Sequence, residues 1–247
     1  LVASNIELPN LRKCIVPSDP NNVFLDVDLK GADAQVVAWD ANDEDLKAAF
    51  RAGLDVHTKN AEDLTTIRPI TDFVRFKFKR RVHATNYGGS AYVLAATNGS
   101  TLAEEERFQD NWFGLHPAIK DWQNRTQHAI DASGEVRNAF GYRIKYFGRP
   151  QDLLKEALAW IGQSTTAITC ERGGLQVQRN VPWIVSMRMQ VHDSWLIEIP
   201  QERLDDRHII KKHLEVVVPY DDPLIIPWDL KVSGKSWGHC QSLGWEN

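Results

Sequence analysis

Cysteine is scarce in this chain, with three residues, Cys14, Cys170 and Cys240, among 247. They form no CxxC pair and their number is odd, so no disulfide framework is expected and a reducing cytoplasm fits best. No apolar run approaches the ~18 residues that a membrane-spanning helix requires. No signal peptide is visible either, which predicts a soluble protein that does not leave the cell by a usual route. Positive charge is not in surplus: the formal net charge is -4 and the pI is near 6.1. Nucleic-acid binders are often basic overall, so a surface of that kind must be local here, in a cleft of an otherwise acidic molecule. Internal repeats and low-complexity tracts are also missing. The chain starts at Leu1 and not at Met, from which a processed, truncated or engineered start is expected.

The remaining composition is ordinary. With 43% hydrophobic and 25% charged residues, the chain can bury one large core or two smaller ones. Residues 1–22 read as an irregular lead-in, with Pro9, Pro17 and Pro20. Alternation predicts a strand at 23–28. Asp40 to Asp45 is polar and caps a helix through Ala52, and Asp55 opens another to about Leu64. A long helix is expected over 72–97, interrupted near Gly88-Gly89. Thr101-Leu102-Ala103-Glu104 is a capping box that opens a helix to about Phe113. Another helix runs over 117–132, and 135–147 reads as a hairpin. Pro150 opens a helix to about Cys170, with Gly173-Gly174 past its end. Strands follow at 184–191 and 195–199, a helix at 201–215 and a strand at 223–232. The class is α+β: a small antiparallel sheet backed by long helices, with a mostly helical insert.

Two aspartates stand where buried strands would not place them, in Val23-Phe24-Leu25-Asp26-Val27-Asp28 and in Met189-Gln190-Val191-His192-Asp193-Ser194. Asp28 shares a strand face with Phe24 and Asp26, and Asp193 lies where alternation ends, in a tight hairpin turn. Taken alone, either aspartate reads as a turn residue, and by composition Asp26 and Asp40 compete with them. Magnesium takes one or two carboxylates plus substrate phosphates. Two such ions about 4 Å apart stabilise both the attacking and the leaving oxygen of a displacement. Between the aspartates, Arg75, Lys79, His83 and Tyr87 recur every four residues and stack on one helix face. Cations one turn apart reach successive phosphates, and an aromatic ring further on can stack on a base or sugar. Lys77, Arg80 and Arg81 lie on other faces, toward template backbone or water. A solvated basic face is the bland alternative, and Gly88-Gly89 counts against it by allowing close backbone approach. Carboxylates and a triphosphate helix together are what phosphoryl transfer requires. Trp112, Trp122, Trp160 and Trp195 read as core, and His116, His128, His208 and His213 lack ligand spacing.

At these residues the chain resembles a family. Arg75-x3-Lys79-x3-His83-x3-Tyr87-Gly88 is similar to the fingers-helix motif of family A DNA polymerases, the DNA polymerase I class. Asp28-Leu29-Lys30-Gly31-Ala32-Asp33 and Val191-His192-Asp193-Ser194 resemble the first and last palm motifs. Gly53-Leu54-Asp55-Val56-His57, Gly141-Tyr142-Arg143, Gln163-Ser164-Thr165 and Gly234-Lys235-Ser236-Trp237 resemble further segments in family order, over about residues 10–238, with a phage-like wording. The resemblance implies that Asp28 and Asp193 bind two Mg2+ ions, for which Mn2+ can substitute. It assigns Arg75, Lys79 and His57 to the incoming triphosphate, with Lys79 also protonating the pyrophosphate. His83 would pack on the nucleotide, and Asp33 holds the sugar-selecting position. Tyr87 would sit by the template base, and Gln163, His192 and Arg143 on the DNA.

The same resemblance implies a palm at 1–40 and 133–247 around helical fingers at 41–132, with the thumb and exonuclease domains absent. Duplex DNA would then be held by a missing segment or a second polypeptide. The function implied is DNA-directed DNA synthesis in replication, on primer-template DNA and dNTPs, with no membrane partner. If the chain is phage-encoded, the setting is the bacterial host cytoplasm. Departures are specific: Asp33 stands for Glu, His83 for Phe or Tyr, Ser194 for Glu, and Gly31 and Gln35 for Gln and Arg. Ser194, His83 and the missing thumb favour, as an alternative, a non-catalytic DNA-holding subunit. A two-metal nuclease is a third reading, less well supported because it has no need for a four-spaced triphosphate helix.

Overall fold

A computed structural model describes residues 10–246. In chain order, strand β1 (Asn22–Leu29) is followed by helices α1 (Ala32–Ala41), α2 (Glu44–Arg51), α3 (Val56–Leu64), α4 (Asp72–Asn86), α5 (Ala91–Asn98), α6 (Leu102–Leu115) and α7 (Pro117–Ser133). Strands β2 (Glu135–Arg137) and β3 (Arg143–Lys145) precede the long helix α8 (Pro150–Asn180). Then come β4 (Ser186–Val191), β5 (Ser194–Pro200), α9 (Arg207–Leu214), β6 (Val217–Val218), β7 (Leu224–Ile225), β8 (Trp228–Ser233) and β9 (Gln241–Ser242). The chain divides into two compact units. The first holds Leu1–Lys30, Ala167–Val217 and Ile225–Asn247, and the second holds Gly31–Thr166 and Val218–Leu224. These limits fall elsewhere than the boundaries expected at 40/41 and 132/133.

The first unit is built on an antiparallel sheet in the order β4-β5-β1-β8-β9. As a central strand, β1 is covered on both sides: Val23, Leu25, Val27 and Leu29 are buried on one face, and Phe24 packs with Leu196 and Trp237 on the other. Helix α8 was expected to stop near Cys170, yet it runs to Asn180. Its two glycines are close-approach points and not a cap. A Cβ on Gly173 would lie 2.7 Å from the Leu214 carbonyl oxygen, and one on Gly174 would overlap the Trp195 ring. The indoles are pinned in the same region, Trp195 Nε1 donating to the Cys170 carbonyl and Trp228 Nε1 to that of Leu214, each at 3.0 Å. The expected helix at 201–215 is a 3-10 turn, Gln201–Asp206, followed by α9. The strand expected at 223–232 is interrupted at Pro227, which has no N–H to give a ladder, leaving β7 and β8.

The second unit is mainly helical, and its helix starts follow the capping residues. Asp43 accepts from the Leu46 N–H at 2.9 Å, Asp55 caps α3, Thr71 caps α4, and Thr101 and Glu104 form the full capping box of α6. The interruption at Gly88-Gly89 separates α4 from α5, with Gly88 in the left-handed region at φ +72°. Helix α1 was not anticipated. Ala32, Val36, Val37, Ala38, Trp39 and Ala41 are all buried, so it shows no polar stripe, and its N-cap, Gly31, offers no side-chain oxygen. Trp112 and Trp122 are core, as expected, while Trp160 and Trp195 are only half-buried. His116 is a satisfied core histidine, its Nδ1 3.0 Å from Asp43 Oδ2.

Candidate active site

In the first unit the sheet register fixes where the carboxylates stand. Asp28 on β1 faces Ser194 on β5 and Asp229 on β8, while Asp26 faces Leu196 and Lys231. Strands β4 and β5 are joined by the two-residue turn His192-Asp193, with His192 in the left-handed region at φ +55°. That conformation costs a non-glycine residue about 1–2 kcal/mol. The turn is clamped to β1 by the Leu29 N–H, which donates to the Asp193 carbonyl at 3.1 Å. Asp28 and Asp193 thus line one cavity of about 210 Å³, together with Asp26, Arg12, His192, Lys231 and Trp237. Burial and then the Asp193 charge push the Asp28 carboxyl up to about 6, against the pull of Lys231.

This is a cluster short of positive charge, and its donors are carboxylate oxygens, which suit Mg2+ or Mn2+. Among the described residues no group of three or more His, Cys, Asp or Glu could hold a metal ion. The two carboxylates that share the cavity would fit an ion that completes its shell with water and substrate oxygens, and they do not make a closed structural site.

In the second unit α4 presents its four-residue row, and α3 lies against it. Arg75 forks onto Asp55, Nε to Oδ2 at 2.5 Å and Nη2 to Oδ1 at 3.0 Å. Asp55 also accepts from the backbone N–H of His57 and Thr58. Burial opposes its ionisation, but these donors bring its carboxyl down to about 2. His57 is pushed down to about 4 by burial and then by the Lys79 and Arg75 charges, so its imidazole is neutral at neutral pH. Its Nδ1 is buried without a partner among the described residues. Lys79 is exposed and forms no ion pair with a described residue. Further along α4, Asp33 on α1 takes both His83, Nδ1 to Oδ2 at 2.9 Å, and the Tyr87 hydroxyl. Burial and then Asp33 raise the Tyr87 phenol far above its usual range.

The expected site residues therefore fall into groups. Asp28, Asp193 and His192 lie together in the first unit. Arg75, Lys79 and His57 form one cluster in the second, and Asp33, His83 and Tyr87 another. Gln163 is exposed on α8, next to Gly162, where a Cβ would overlap the Tyr87 hydroxyl. Arg143 on β3 is exposed and reaches Glu135 at 3.3 Å. Three groups escaped the sequence reading. Lys231 and Arg12 give no local signal, since only strand register and the path of the lead-in bring them to the cavity. Asp55 was legible as a helix start, but its pairing with Arg75 depends on how α3 packs on α4.

The chain thus carries a sheet-borne carboxylate pair and a cationic helix with four-residue spacing, and comparisons with known proteins show its family. The profile of DNA polymerase family A matches residues 3–239. The chain belongs to DNA polymerase family A. It is 27% identical over 240 residues to the thermostable DNA polymerase I of Thermus filiformis, covering 92% of this chain and 28% of that one. It is 27% identical over 244 residues to DNA polymerase I of Streptococcus pneumoniae, covering 87% and 26%. To the DNA polymerase of Mycobacterium phage D29 it is 24% identical over 234 residues, covering 92% and 37%. The chain thus spans between 26% and 37% of the length of these relatives. The POL domain of Pol1 from M. smegmatis, solved in complex with DNA primer-template and dNTP, superposes with a TM-score of 0.82 at 18% identity, over 92% of this chain and 42% of that one. This likeness shows the fold. Among the described residues no helix is long and apolar enough to cross a membrane.

Proposed function

We propose that this chain carries the palm and fingers of a DNA-directed DNA polymerase, adding dNTPs to a primer 3′ end during replication. The palm would be residues 1–40 and 133–247, and the fingers 41–132. The observation that carries the reading is the Asp28–Asp193 pair lining one cavity, with Asp28 pushed up to about 6 by burial and its neighbour. Asp28 and Asp193 would hold Mg2+, or Mn2+ in its place. When bound, two such ions supply the neutralising charge on the attacking and leaving oxygens.

The protein's own residues bind and orient the substrate. Arg75, Lys79 and neutral His57 receive the triphosphate, and Lys79 gives its proton to the departing pyrophosphate as the primer oxygen takes the α-phosphorus. Asp33, His83 and Tyr87 form a hydrogen-bonded unit at the sugar and template base, and the shorter Asp33 is held in place by two partners. Gln163, His192 and Arg143 are placed on the primer-template. Orientation and electrostatic stabilisation provide the rate enhancement. Synthesis on this reading takes place in the cytoplasm, a bacterial host's if the chain is phage-encoded.

Primer extension with Mg2+ tests the reading, with Asp28→Ala and Asp193→Ala as the variants. Both are expected to stop extension; normal extension by both sinks the metal assignment. If the unaltered chain binds dNTP with Mg2+ but never extends, even with a thumb-bearing partner, it is a DNA-holding subunit.

A further inference from the structure

Lys231 stands in an unusual place for an ammonium. It lies on β8 directly across from Asp26, and Asp229, two residues before it, lies across from Asp28. Directly opposed residues of antiparallel strands have Cβ atoms about 5 Å apart. Lys231 therefore lines the same cavity as Asp26, Asp28 and Asp193. Its ammonium nevertheless makes no hydrogen bond or ion pair with a described residue. The other cation of the lining, Arg12, is stacked over the Trp237 ring at 4.3 Å from its centroid.

An unpaired ammonium in such a wall can serve as a seat for a phosphate or as a counter-charge for the acids. The lining decides between them. A phosphate approaching Lys231 meets Asp26, Asp28 and Asp193 around it, whereas a cation approaching those carboxylates meets chiefly Lys231. We propose that Lys231 is a built-in counter-charge of the carboxylate cavity, which limits its affinity for divalent ions and holds the acids together before an ion arrives. The inference rests on the reading that Asp28 and Asp193 hold the metal. It concerns a tuning residue that touches no reacting atom. The size of the effect follows from Coulomb's law. A unit charge about 6 Å from a divalent ion, screened as in bulk water, changes a binding constant about tenfold, and a drier cavity gives more.

The test is Mn2+ binding to the DNA-free protein, read from the free-ion electron paramagnetic resonance signal at fixed pH and ionic strength. Lys231→Met is expected to bind Mn2+ about tenfold more tightly than the unaltered protein, and Lys231→Arg to match the unaltered protein. Lys231→Gln serves as a second neutral variant if the melting curve of Lys231→Met shows a loss of fold. Unchanged or weaker Mn2+ binding in a folded neutral variant overturns the proposal. So does a neutral variant that binds primed DNA less tightly with its Mn2+ affinity intact, which makes Lys231 a phosphate contact. The reading beneath it fails separately: Mn2+ binding that ignores Asp28→Asn and Asp193→Asn removes the metal site itself, and the inference with it.

Discussion

Asp28 and Asp55 are both aspartates in charged clusters, and their surroundings push them in opposite directions. Asp28, in the first unit, is raised to about 6 by burial and then by Asp193. Asp55, in the second, falls to about 2 because Arg75 and backbone donors outweigh its burial. The carboxylate cavity is short of positive charge and, on the proposed function, would gain by taking a cation from solution. The cationic helix has already answered part of its own charge through the Arg75–Asp55 pair, so on the proposed function an arriving triphosphate would compete with Asp55 for Arg75. Lys79, exposed and without an acid partner among the described residues, would be the cation open to a phosphate on that reading. On the proposed function, one cluster would recruit an ion and the other would exchange one anion for another.

Kinetics can break this contrast most directly. Asp193→Asn is expected to lower single-nucleotide extension on the order of a thousandfold, with no rescue by added dNTP, because it removes an interaction that matters in the transition state. Arg75→Ala is expected to raise the KM for dNTP about tenfold or more and to recover at high dNTP, the signature of lost ground-state binding. If the two signatures are exchanged, the division of labour between the clusters is wrong.

Each unit also contains a fully buried glutamate, and here the units behave alike. Glu105 is held by both Nε and Nη2 of Arg81, and Glu198 by Ser18, Asn22 and Arg188. Removing one partner of a buried pair costs about 3–5 kcal/mol. Glu105→Ala and Glu198→Ala are each expected to lose stability of that size in urea unfolding at neutral pH. Burial opposes the charge of both acids, but their partners lower both carboxyls below the ordinary 4.5. A depressed carboxylate stabilises the fold above its unfolded value, and that contribution is lost as pH falls through the folded value. The penalty of each substitution should therefore shrink below about pH 4. A cost under about 1 kcal/mol in either unit would mean that its glutamate is not holding the fold.

Much of the architecture was legible because its signals are local. The alternation in Val23 to Asp28, the caps at Asp55 and Thr101, and the four-residue row from Arg75 to Tyr87 each sit within a few residues. The tight turn at His192-Asp193 was readable from the end of alternation. What escaped depends on residues distant in sequence. Helix α1 is apolar on nearly every side, so periodicity cannot distinguish it from a buried strand segment. Gly173-Gly174 looks like a helix stop until Trp195 and Leu214 occupy the space a side chain would need. Lys231 reaches the carboxylates only through its register with β1, and Arg75 meets Asp55 only through the packing of α3 on α4.

The glycines give a smaller and sharper comparison. Alanine in a helix interior usually stabilises by about 1 kcal/mol over glycine. Gly114 in α6 of the second unit has nothing within 4 Å of an added Cβ, and Gly114→Ala should raise the melting temperature by a few degrees. Gly174→Ala in α8 of the first unit should do the reverse, because the Cβ overlaps the Trp195 ring. Overpacking of this kind costs about 1–3 kcal/mol. A stabilised Gly174→Ala would show that the helix and Trp195 can separate freely.

The finest test returns to Asp55. Asparagine at an N-cap still accepts from the N–H groups that Asp55 now serves, so Asp55→Asn keeps α3 capped and removes only the charge. Arg75 then loses the carboxylate that holds it, and its guanidinium is free for phosphate oxygens. The KM for dNTP is expected to fall severalfold, less than a full exposed ion pair of about 1 kcal/mol would suggest, since Arg75 is also partly solvated. Acid sensitivity supplies the second readout. Asp55 lies below its ordinary 3.8 at about 2, so its stabilising charge is complete above pH 3.8 and lost as pH falls toward 2. Asp55→Asn should therefore flatten that part of the acid unfolding curve while leaving the curve above it in place. If the variant instead raises the KM, Asp55 positions Arg75 for the triphosphate, and the paired cluster is a preset clamp and not a competitor.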